Sequence, residues 1–371
     1  MRLSLSTSAA DAGPRADPGE QTLVVDDVRA RYGTHVALDG VSLDVRRGEI
    51  VCLLGPSGSG KSTLLRLIAG VDAPASGRIV LDGVEVAGPG RFVEPEARRV
   101  GMVFQDYALF PHLTVAENVA FGLKGRRRTE AQELVRKMLG RLGLERHANN
   151  HPHMLSGGER QRVALARAMA PGPRVLLMDE PFSSLDARLR DEVRRYTLAF
   201  LRETGTTTVV VTHDPDEAMR LGDRIALLHS GRLIQYGAPD EIYTHPASLC
   251  AARLLGDVNV LCGLCTHGRV ETPLGRFPAG DLPDGTTAQV CVRPEHLRIA
   301  SHPTAAHGRV LDRTPLGEID LLCLSVPGVD SPVTLRVMGR TGLRPGDRVP
   351  LEVLPEQGTV LPPDPTYSPI S

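Results

Sequence analysis

The chain has 371 residues, of which 41% are hydrophobic and 23% are charged, so it can form two or three domains with substantial cores. Its 43 basic and 44 acidic side chains give a formal net charge of −1, which argues against a strongly basic nucleic-acid-binding domain. The longest apolar run, Ile50–Leu54, is far shorter than the roughly 18 residues that span a bilayer.

The first half of the chain alternates strand-like and helix-like patterns. Residues 1–20 have no apolar core of a secretion signal, and we expect a disordered tail there. Ile50–Leu54 is typical of a buried strand, and a Gly/Ser-rich turn separates it from a helical pattern over Ser62–Ala69. Further strands and helices follow in alternation: a hairpin over Arg78–Val86, helix over Val115–Leu144 and Arg160–Met169, and strands Val175–Met178 and Thr207–Val211. This order predicts an α/β fold with a mainly parallel, doubly wound sheet.

The character of the sequence changes near residue 245. Beyond Asn259, short β-like runs are separated by Gly/Pro turns, as in Ala288–Val292, Asp320–Ser325 and Val333–Val337. This pattern predicts a small all-β, barrel-like domain.

The turn after Ile50–Leu54 carries a phosphate-binding motif. Residues 55–63 read GPSGSGKST and fit GxxxxGK[ST], the Walker A pattern, between a strand and a helix. Glycines let consecutive backbone N–H groups face a phosphate, Lys61 can reach the β- and γ-phosphates, and Ser62 can ligate Mg²⁺. The predicted nucleotide-binding residues of this loop are Gly55, Ser57, Gly58, Ser59, Gly60, Lys61, Ser62 and Thr63.

Two acids end the strand at Val175–Met178. Asp179 is predicted to hold Mg²⁺, directly or through water, and Glu180 to polarise the attacking water. Beside a Walker A motif, this pair is typical of a nucleotide hydrolase.

Residues 155–162, LSGGERQR, resemble the signature motif of the ATP-binding cassette (ABC) ATPases, with Glu159 where Gln is commoner. The resemblance extends over residues 22–245. It implies that Ser156, Gly157, Gly158 and Glu159 close on the ATP of a second subunit, so that two chains bind two ATP molecules between them.

Other positions match the same family. Gln105 resembles the Q-loop glutamine that senses Mg²⁺ and the membrane partner, and His213 resembles the switch histidine that contacts the γ-phosphate. Asp186 ends a segment, Ser183–Asp186, that resembles the D-loop, and Tyr32 lies where the family has an aromatic residue that stacks on adenine. The resemblance thus implies the catalytic residues Glu180, His213 and Gln105 and the Mg²⁺ ligands Ser62, Gln105 and Asp179.

The C-terminal region resembles a second family module. Residues 292–298, VRPEHLR, are similar to a segment of the TOBE regulatory barrel of ABC importer ATPases. We therefore predict a P-loop NTPase of the ABC type at 21–245, with an inserted helical subdomain at about 106–165. A linker at 246–258, a TOBE-like β domain at 259–360 and a tail at 361–371 follow.

The resemblance implies the ATPase subunit of an ABC importer that uses ATP and Mg²⁺ at the cytoplasmic face of the cell membrane. Its implied partners are a second copy of itself, a permease and, indirectly, a solute-binding protein, but no nucleic acid. The segment 107–122 is predicted to receive the permease. A soluble ABC protein of translation or DNA repair is an alternative, but those usually carry two cassettes or a long coiled coil. A nucleotide-operated switch is a third, which Glu180 and His213 disfavour.

The transported solute is less well defined. The text GDVNVL at 256–261 and the segments after it resemble ferric-iron importers most, and spermidine/putrescine and sulfate importers share much of it. Iron is the prediction, and spermidine/putrescine, sulfate or another small solute is the alternative. Three histidines, His147, His151 and His153, lie in a polar loop that is more typical of an exposed surface than of a metal site.

Overall fold

A computed structural model describes residues 21–123, 125–301 and 306–363 of the chain. Contacts divide it into two compact units, the first ending at Leu233 and the second beginning at Ile234. The sequence-based domain ends at 245 and 258 stay predictions, and the predicted tail at 1–20 lies outside the described residues. Among the described helices, none is both long and apolar enough to cross a membrane.

A six-stranded sheet forms the centre of the first unit, and its edge strand β11 continues past Leu233. Its order is β11-β10-β3-β9-β8-β7, and β10, β3, β9, β8 and β7 run parallel. The strands are β3 (Ile50–Leu54), β7 (Val100–Val103), β8 (Val175–Asp179), β9 (Thr207–Thr212), β10 (Arg224–His229) and β11 (Arg232–Gly237). Every residue of β3 and β9 is buried, as expected of parallel strands with both faces covered. The prediction of a mainly parallel α/β sheet is confirmed.

A second sheet of the first unit is antiparallel where its pairings are defined, in the order β2-β1-β4-β5-β6. It comprises β1 (Gln21–Tyr32), β2 (His35–Arg46), β4 (Ser76–Leu81), β5 (Val84–Gly88) and β6 (Arg91–Phe92). The predicted hairpin turns at Asp82 and Gly83, both of which have a positive φ.

Six α-helices are found among the described residues of the first unit. They are α1 (Lys61–Ala69), α2 (Val115–Ala120), α3 (Arg128–Arg141), α4 (Gly157–Met169), α5 (Ala187–Thr204) and α6 (Pro215–Leu221). The helical pattern over Val115–Leu144 is thus two α-helices, separated by a short 3-10 turn and by Gly125, whose φ is +95°. Helices α2 to α4 lie between β7 and β8 in the sequence. Helix α5 lies in a stretch for which the sequence predicted no element.

The second unit is mainly β. Its strands form two five-stranded sheets, β14-β13-β12-β15-β21 and β16-β20-β17-β18-β19, around one apolar core that includes Leu261, Phe277 and Leu322. They are β12 (Asn259–Thr266), β13 (Arg269–Thr272), β14 (Gly275–Pro278), β15 (Thr287–Val292), β16 (Leu297–Ile299), β17 (His307–Pro315), β18 (Ile319–Ser325), β19 (Val333–Met338), β20 (Arg348–Val353) and β21 (Gly358–Leu361). Two short helices precede them, α7 (Pro239–Thr244) and α8 (Leu249–Leu254).

The all-β prediction for this region is confirmed, with one difference at its end. The predicted tail begins at residue 361, but Leu361 is buried and closes β21 opposite Gln289 of β15. An apolar side chain on a paired strand gains more by joining the core than by remaining in a solvated tail.

Candidate nucleotide site

The Walker A loop lies where β3 ends and α1 begins. Gly58 and Gly60 have φ values of +80° and +101°, which favour glycine, and Gly60 is the N-cap of α1. A Cβ at Gly55 would lie 2.1 Å from the Leu228 carbonyl oxygen, so this position also requires glycine. Ser57 and Gly58 are exposed, whereas the Ser59 side chain is buried under the loop.

Lys61 is the first residue of α1, and its side chain folds back into the Walker A loop. Its Nζ donates to the carbonyl oxygens of Gly55 and Pro56, each at 2.8 Å, and contacts Ser59 Oγ at 3.4 Å. The side chain is buried, and this burial lowers the pKa of the ammonium, while Glu180 and Asp179 act in the opposite direction. A compact ammonium with several donors is thus held at the centre of the loop, where an anion would meet it.

Ser62 and Asp179 meet across two elements. Ser62 Oγ, in the first turn of α1, donates to Asp179 Oδ1 at the end of β8 over 3.2 Å. Burial raises the pKa of the Asp179 carboxyl, against the lowering effect of the Ser62 hydrogen bond. Burial therefore disfavours the negative charge, and a cation beside the carboxylate would relieve that cost. A hydroxyl and a carboxylate oxygen are the kind of donors that Mg²⁺ takes.

Glu180 and His213 are brought together by neighbouring parallel strands. Glu180 follows β8 and His213 follows β9, and His213 Nδ1 lies 3.2 Å from Glu180 Oε1. Glu180 has a φ of +43° and its N–H donates to the Val211 carbonyl at 3.0 Å. A positive φ is strained for a non-glycine residue, and Glu180 adopts it immediately after β8.

Gln105 and Tyr32 are exposed at the edges of this site. Gln105 follows β7, the strand that pairs in parallel with β8 and so ends on the same side as Asp179. Tyr32 ends β1 with its ring half exposed, and its hydroxyl donates to Asp72 just after α1 at 2.6 Å. That hydrogen bond, helped by desolvation, raises the pKa of the Tyr32 phenol. Thr63 is half-buried on α1 next to Ser62.

The signature residues begin α4. Ser156 is the N-cap, and it forms a capping box with Glu159, whose Oε2 accepts from the Ser156 N–H at 2.9 Å and from Ser156 Oγ at 2.8 Å. The glycines have a packing reason as well. A Cβ at Gly157 would lie 2.9 Å from Leu185, and one at Gly158 would lie 2.8 Å from Val193 of α5.

Asp186 caps the N-terminus of α5, and its carboxylate accepts from the Leu189 N–H at 3.0 Å. Two contacts of this segment were not predicted from the sequence. Ser184 Oγ shares a 2.6 Å hydrogen bond with the buried Tyr107 hydroxyl, and Arg190 donates to the Leu185 carbonyl at 2.9 Å. No local sequence pattern predicts such long-range partners, although Tyr107, an aromatic residue shortly after Gln105, could have indicated a packed contact.

Comparison with known proteins decides the family. The profile of the ABC transporter family matches residues 38–183, and that of the TOBE domain matches residues 290–361. The sulfate/thiosulfate import ATP-binding protein CysA 2 of Chromobacterium violaceum is 43% identical over 336 residues, which are 87% of this chain and 90% of that protein. The chain belongs to the ATP-binding subunits of ABC importers.

Other relatives of this importer ATPase carry different solute names. The Fe(3+) ions import ATP-binding protein FbpC 2 of Rhodococcus jostii is 42% identical, over 90% of this chain and 96% of that protein. The putrescine transport ATP-binding protein PotG of Escherichia coli is 40% identical, over 81% and 83% respectively.

Solved structures are similar to the cassette. CbiO1 from Clostridium perfringens, described as part of the ABC transporter complex cbiONQ, is 31% identical with a TM-score of 0.56, over 60% of this chain and 91% of that one. A dimeric, post-hydrolysis structure of the cassette MJ0796 bound to ADP and Pi is 35% identical with a TM-score of 0.52, over 58% and 98%. The predicted P-loop cassette, TOBE module and ATP-hydrolase activity are therefore confirmed, as is ATP as the nucleotide.

Proposed function

We propose that this importer ATPase hydrolyses ATP·Mg²⁺ at the site formed by its Walker A loop, Asp179, Glu180 and His213. The observation that carries the proposal is the convergence of Lys61, the Ser62–Asp179 pair and the Glu180–His213 pair on the carboxyl ends of β3, β8 and β9. Ser62 and Asp179, with Gln105, would hold Mg²⁺, which neutralises charge on the phosphates when bound.

The residues of this chain then have separate tasks. The loop N–H groups and Lys61 bind and orient the β- and γ-phosphates, and Tyr32 stacks on adenine. Glu180 orients the water that attacks the γ-phosphorus and accepts its proton at a carboxylate oxygen. His213, whose Nδ1 lies 3.2 Å from Glu180, contacts the γ-phosphate.

We further propose that two copies bind two ATP molecules between them. The signature is supported for this role by its position at the N-terminus of α4, where the side-chain-free Gly157 and Gly158 follow the Ser156 cap. Asp186 would lie at the same junction. The solved dimers of the MJ0796 cassette support the arrangement by similarity.

A permease is the proposed membrane partner, and its docking surface is a groove in the first unit. The groove has a volume of about 740 Å³ and lies between α2 and α3, lined by Ala116, Glu117, Ala120, Val135, Leu139 and Ala148. Its apolar floor suits a short cytoplasmic helix of the permease. Three of its lining residues belong to the predicted docking segment 107–122.

The solute remains a proposal, with ferric iron as the sequence prediction. Relatives named for sulfate, polyamines and iron are about equally similar, so these three solutes are tested together.

A strain that lacks the gene tests the role. We expect wild-type complementation to restore ATP-dependent uptake of one of ³⁵S-sulfate, ¹⁴C-putrescine or ⁵⁵Fe(III), and Glu180→Gln complementation to restore none. Restoration by Glu180→Gln, or copurification of the protein with ribosomes in place of a permease, would contradict the proposal.

A further inference from the structure

Tyr32, the residue proposed to stack on adenine, lies at an exposed hairpin turn. It ends β1 opposite His35 of β2 and precedes Gly33, whose φ is +60°. Half of the tyrosine is exposed, so its side chain has room for more than one rotamer. If the ring were free to rotate, binding a base would also have to fix it, and that ordering weakens binding. A contact that fixes the ring in advance would therefore strengthen base binding.

Asp72 makes such a contact with the ring. Its Oδ2 accepts a hydrogen bond from the Tyr32 hydroxyl at 2.6 Å. This hydrogen bond and desolvation raise the pKa of the Tyr32 phenol, while Arg66 and Thr63 act in the opposite direction. The pKa of the Asp72 carboxyl is lowered, first by its hydrogen bond with Arg66 and then by that with Tyr32. At neutral pH a protonated phenol thus donates to an ionised carboxylate, which is a strong type of hydrogen bond.

Arg66 holds the same carboxylate at two points. Its Nε donates to Asp72 Oδ2 at 2.9 Å and its Nη2 donates to Oδ1 at 3.2 Å. The Asp72 side chain is 21% exposed, so solvent screens this ion pair less than it screens a fully exposed one. The backbone adds support just beyond the end of α1, where the Val71 N–H donates to the Arg66 carbonyl at 2.9 Å. The carboxylate that receives the Tyr32 hydroxyl therefore has a defined position.

These contacts tie Tyr32 to the helix that begins in the Walker A loop. Helix α1 starts at Lys61. Thr63 and Arg66, which both act on the Tyr32 phenol, are three residues apart on α1 and so share one of its faces. The groups proposed to bind the phosphates and the ring proposed to bind the base are thus held by one helix.

We propose that Asp72 is a positioning residue for the base of the nucleotide: it accepts the Tyr32 hydroxyl, and so fixes the ring against α1 before the nucleotide binds. Arg66 in turn fixes Asp72. The inference rests on the proposed stacking of Tyr32 on adenine. Stacking uses the face of a base, so the effect of Asp72 should appear with nucleotides and be missing with phosphates alone.

Calorimetric titration of the full chain with Mg·ADP tests this without turnover. We expect Asp72→Ala to raise the dissociation constant of ADP about fivefold, because binding must then also order the ring. Inorganic tripolyphosphate has no base, and its dissociation constant should stay within about twofold of the wild-type value. Asp72→Asn keeps an oxygen that can accept the hydroxyl, and it should return ADP binding to within about twofold of wild type.

Asp26→Ala is the matched control, because it removes a similar ion pair from the same antiparallel sheet. Asp26 on β1 accepts from Arg78 Nε of β4 at 2.9 Å. Its loss should leave ADP binding unchanged. An equal loss of affinity in Asp26→Ala and Asp72→Ala would overturn the inference. So would an equal loss for ADP and tripolyphosphate in Asp72→Ala, since that result would indicate a general disturbance of α1.

A double-mutant cycle tests whether Asp72 acts through the hydroxyl. Tyr32→Phe keeps the ring and removes the hydroxyl, and in this background Asp72→Ala should change the ADP dissociation constant less than about twofold. An equal change in both backgrounds, or no change in either, would contradict the role of Asp72.

Tyr32→Ala tests the proposed stacking separately. It should weaken ADP binding at least about tenfold, as expected for the loss of an aromatic side chain that stacks on a base. If Tyr32→Ala binds ADP as the wild type does, the stacking role is wrong and the inference falls with it. If Tyr32→Ala loses affinity and Asp72→Ala does not, the stacking role stands and the inference alone is overturned.

Discussion

At the scale of single residues, lysine stands out because the chain has three lysines and forty arginines. Lys61 occupies a buried position where one small ammonium contacts two carbonyl oxygens and a hydroxyl within a single loop. A planar guanidinium needs more room and different donor directions. The bias toward arginine therefore stops where that exchange would remove the chemistry.

Lys61→Arg should weaken ATP binding at least about tenfold, because the guanidinium cannot enter the closed loop without moving Gly55 or Pro56. Calorimetric titration with ATP measures the loss. Lys137→Arg, on α3, is the matched control and should bind ATP as the wild type does. Equal affinity of Lys61→Arg and wild type would contradict the assignment.

At the scale of elements, Asn118 organises the predicted docking segment. This buried side chain on α2 donates to the carbonyls of Phe110, Leu113 and Thr114 at 3.0–3.1 Å, and its Oδ1 accepts from the Phe110 N–H at 2.9 Å. One amide thus fixes the turn between Gln105 and α2. We propose that this side chain gives the predicted docking segment its shape.

Asn118→Leu should reduce the stimulation of ATPase activity by the permease at least about fivefold, while basal activity stays within about twofold. The reason is local, since each unsatisfied buried group costs about 1–3 kcal/mol and the affected carbonyls belong to the docking segment. Steady-state ATPase assays with and without the reconstituted permease measure it. Asn149→Leu, at an exposed position, is the control. A variant stimulated like the wild type would exclude this role for Asn118.

At the scale of the whole molecule, the second unit contains a buried ion pair of its own. Asp320 on β18 accepts from Arg313 Nε at 2.8 Å and from the N–H and hydroxyl of Thr341 at 2.7 and 2.9 Å. The Arg313 hydrogen bond, followed by that of the Thr341 N–H, lowers the pKa of Asp320 to about 2. Its ordinary value is about 3.9.

A depressed pKa fixes the sign of the pH effect. The ionised Asp320 stabilises the second unit above about pH 4, and that contribution is lost as the pH falls toward about 2. Asp320→Asn should therefore lower the urea concentration of half unfolding at pH 7. Below pH 4, this concentration should fall less steeply with pH in the variant than in the wild type. Hydrogen exchange of peptides from β17 and β18, measured on the full chain, reports the unfolding of the second unit. Asp330→Asn is the exposed control, and a parallel decline in Asp320→Asn and wild type would contradict the account.

Much of the architecture could be predicted from the sequence because local patterns carry it. The continuous apolar run of β3, the glycines of the loop and the acids after β8 each have a local reason to be where they are. Contacts such as His147 with Glu159 or Tyr107 with Ser184 depend on how distant segments pack, and no periodicity specifies them. Helix α5 was not predicted because its many charged residues mask the spacing of Val193, Phe200 and Leu201, which are buried.

The central claim is that ATP bridges two chains and that Glu180 then drives its hydrolysis. Light scattering of Glu180→Gln, with turnover assayed in parallel, tests it most directly. We predict a monomer without nucleotide or with ADP, a particle of twice the mass with ATP, and turnover reduced at least about a hundredfold relative to wild type. A monomer at saturating ATP, or turnover like that of the wild type, would contradict the claim.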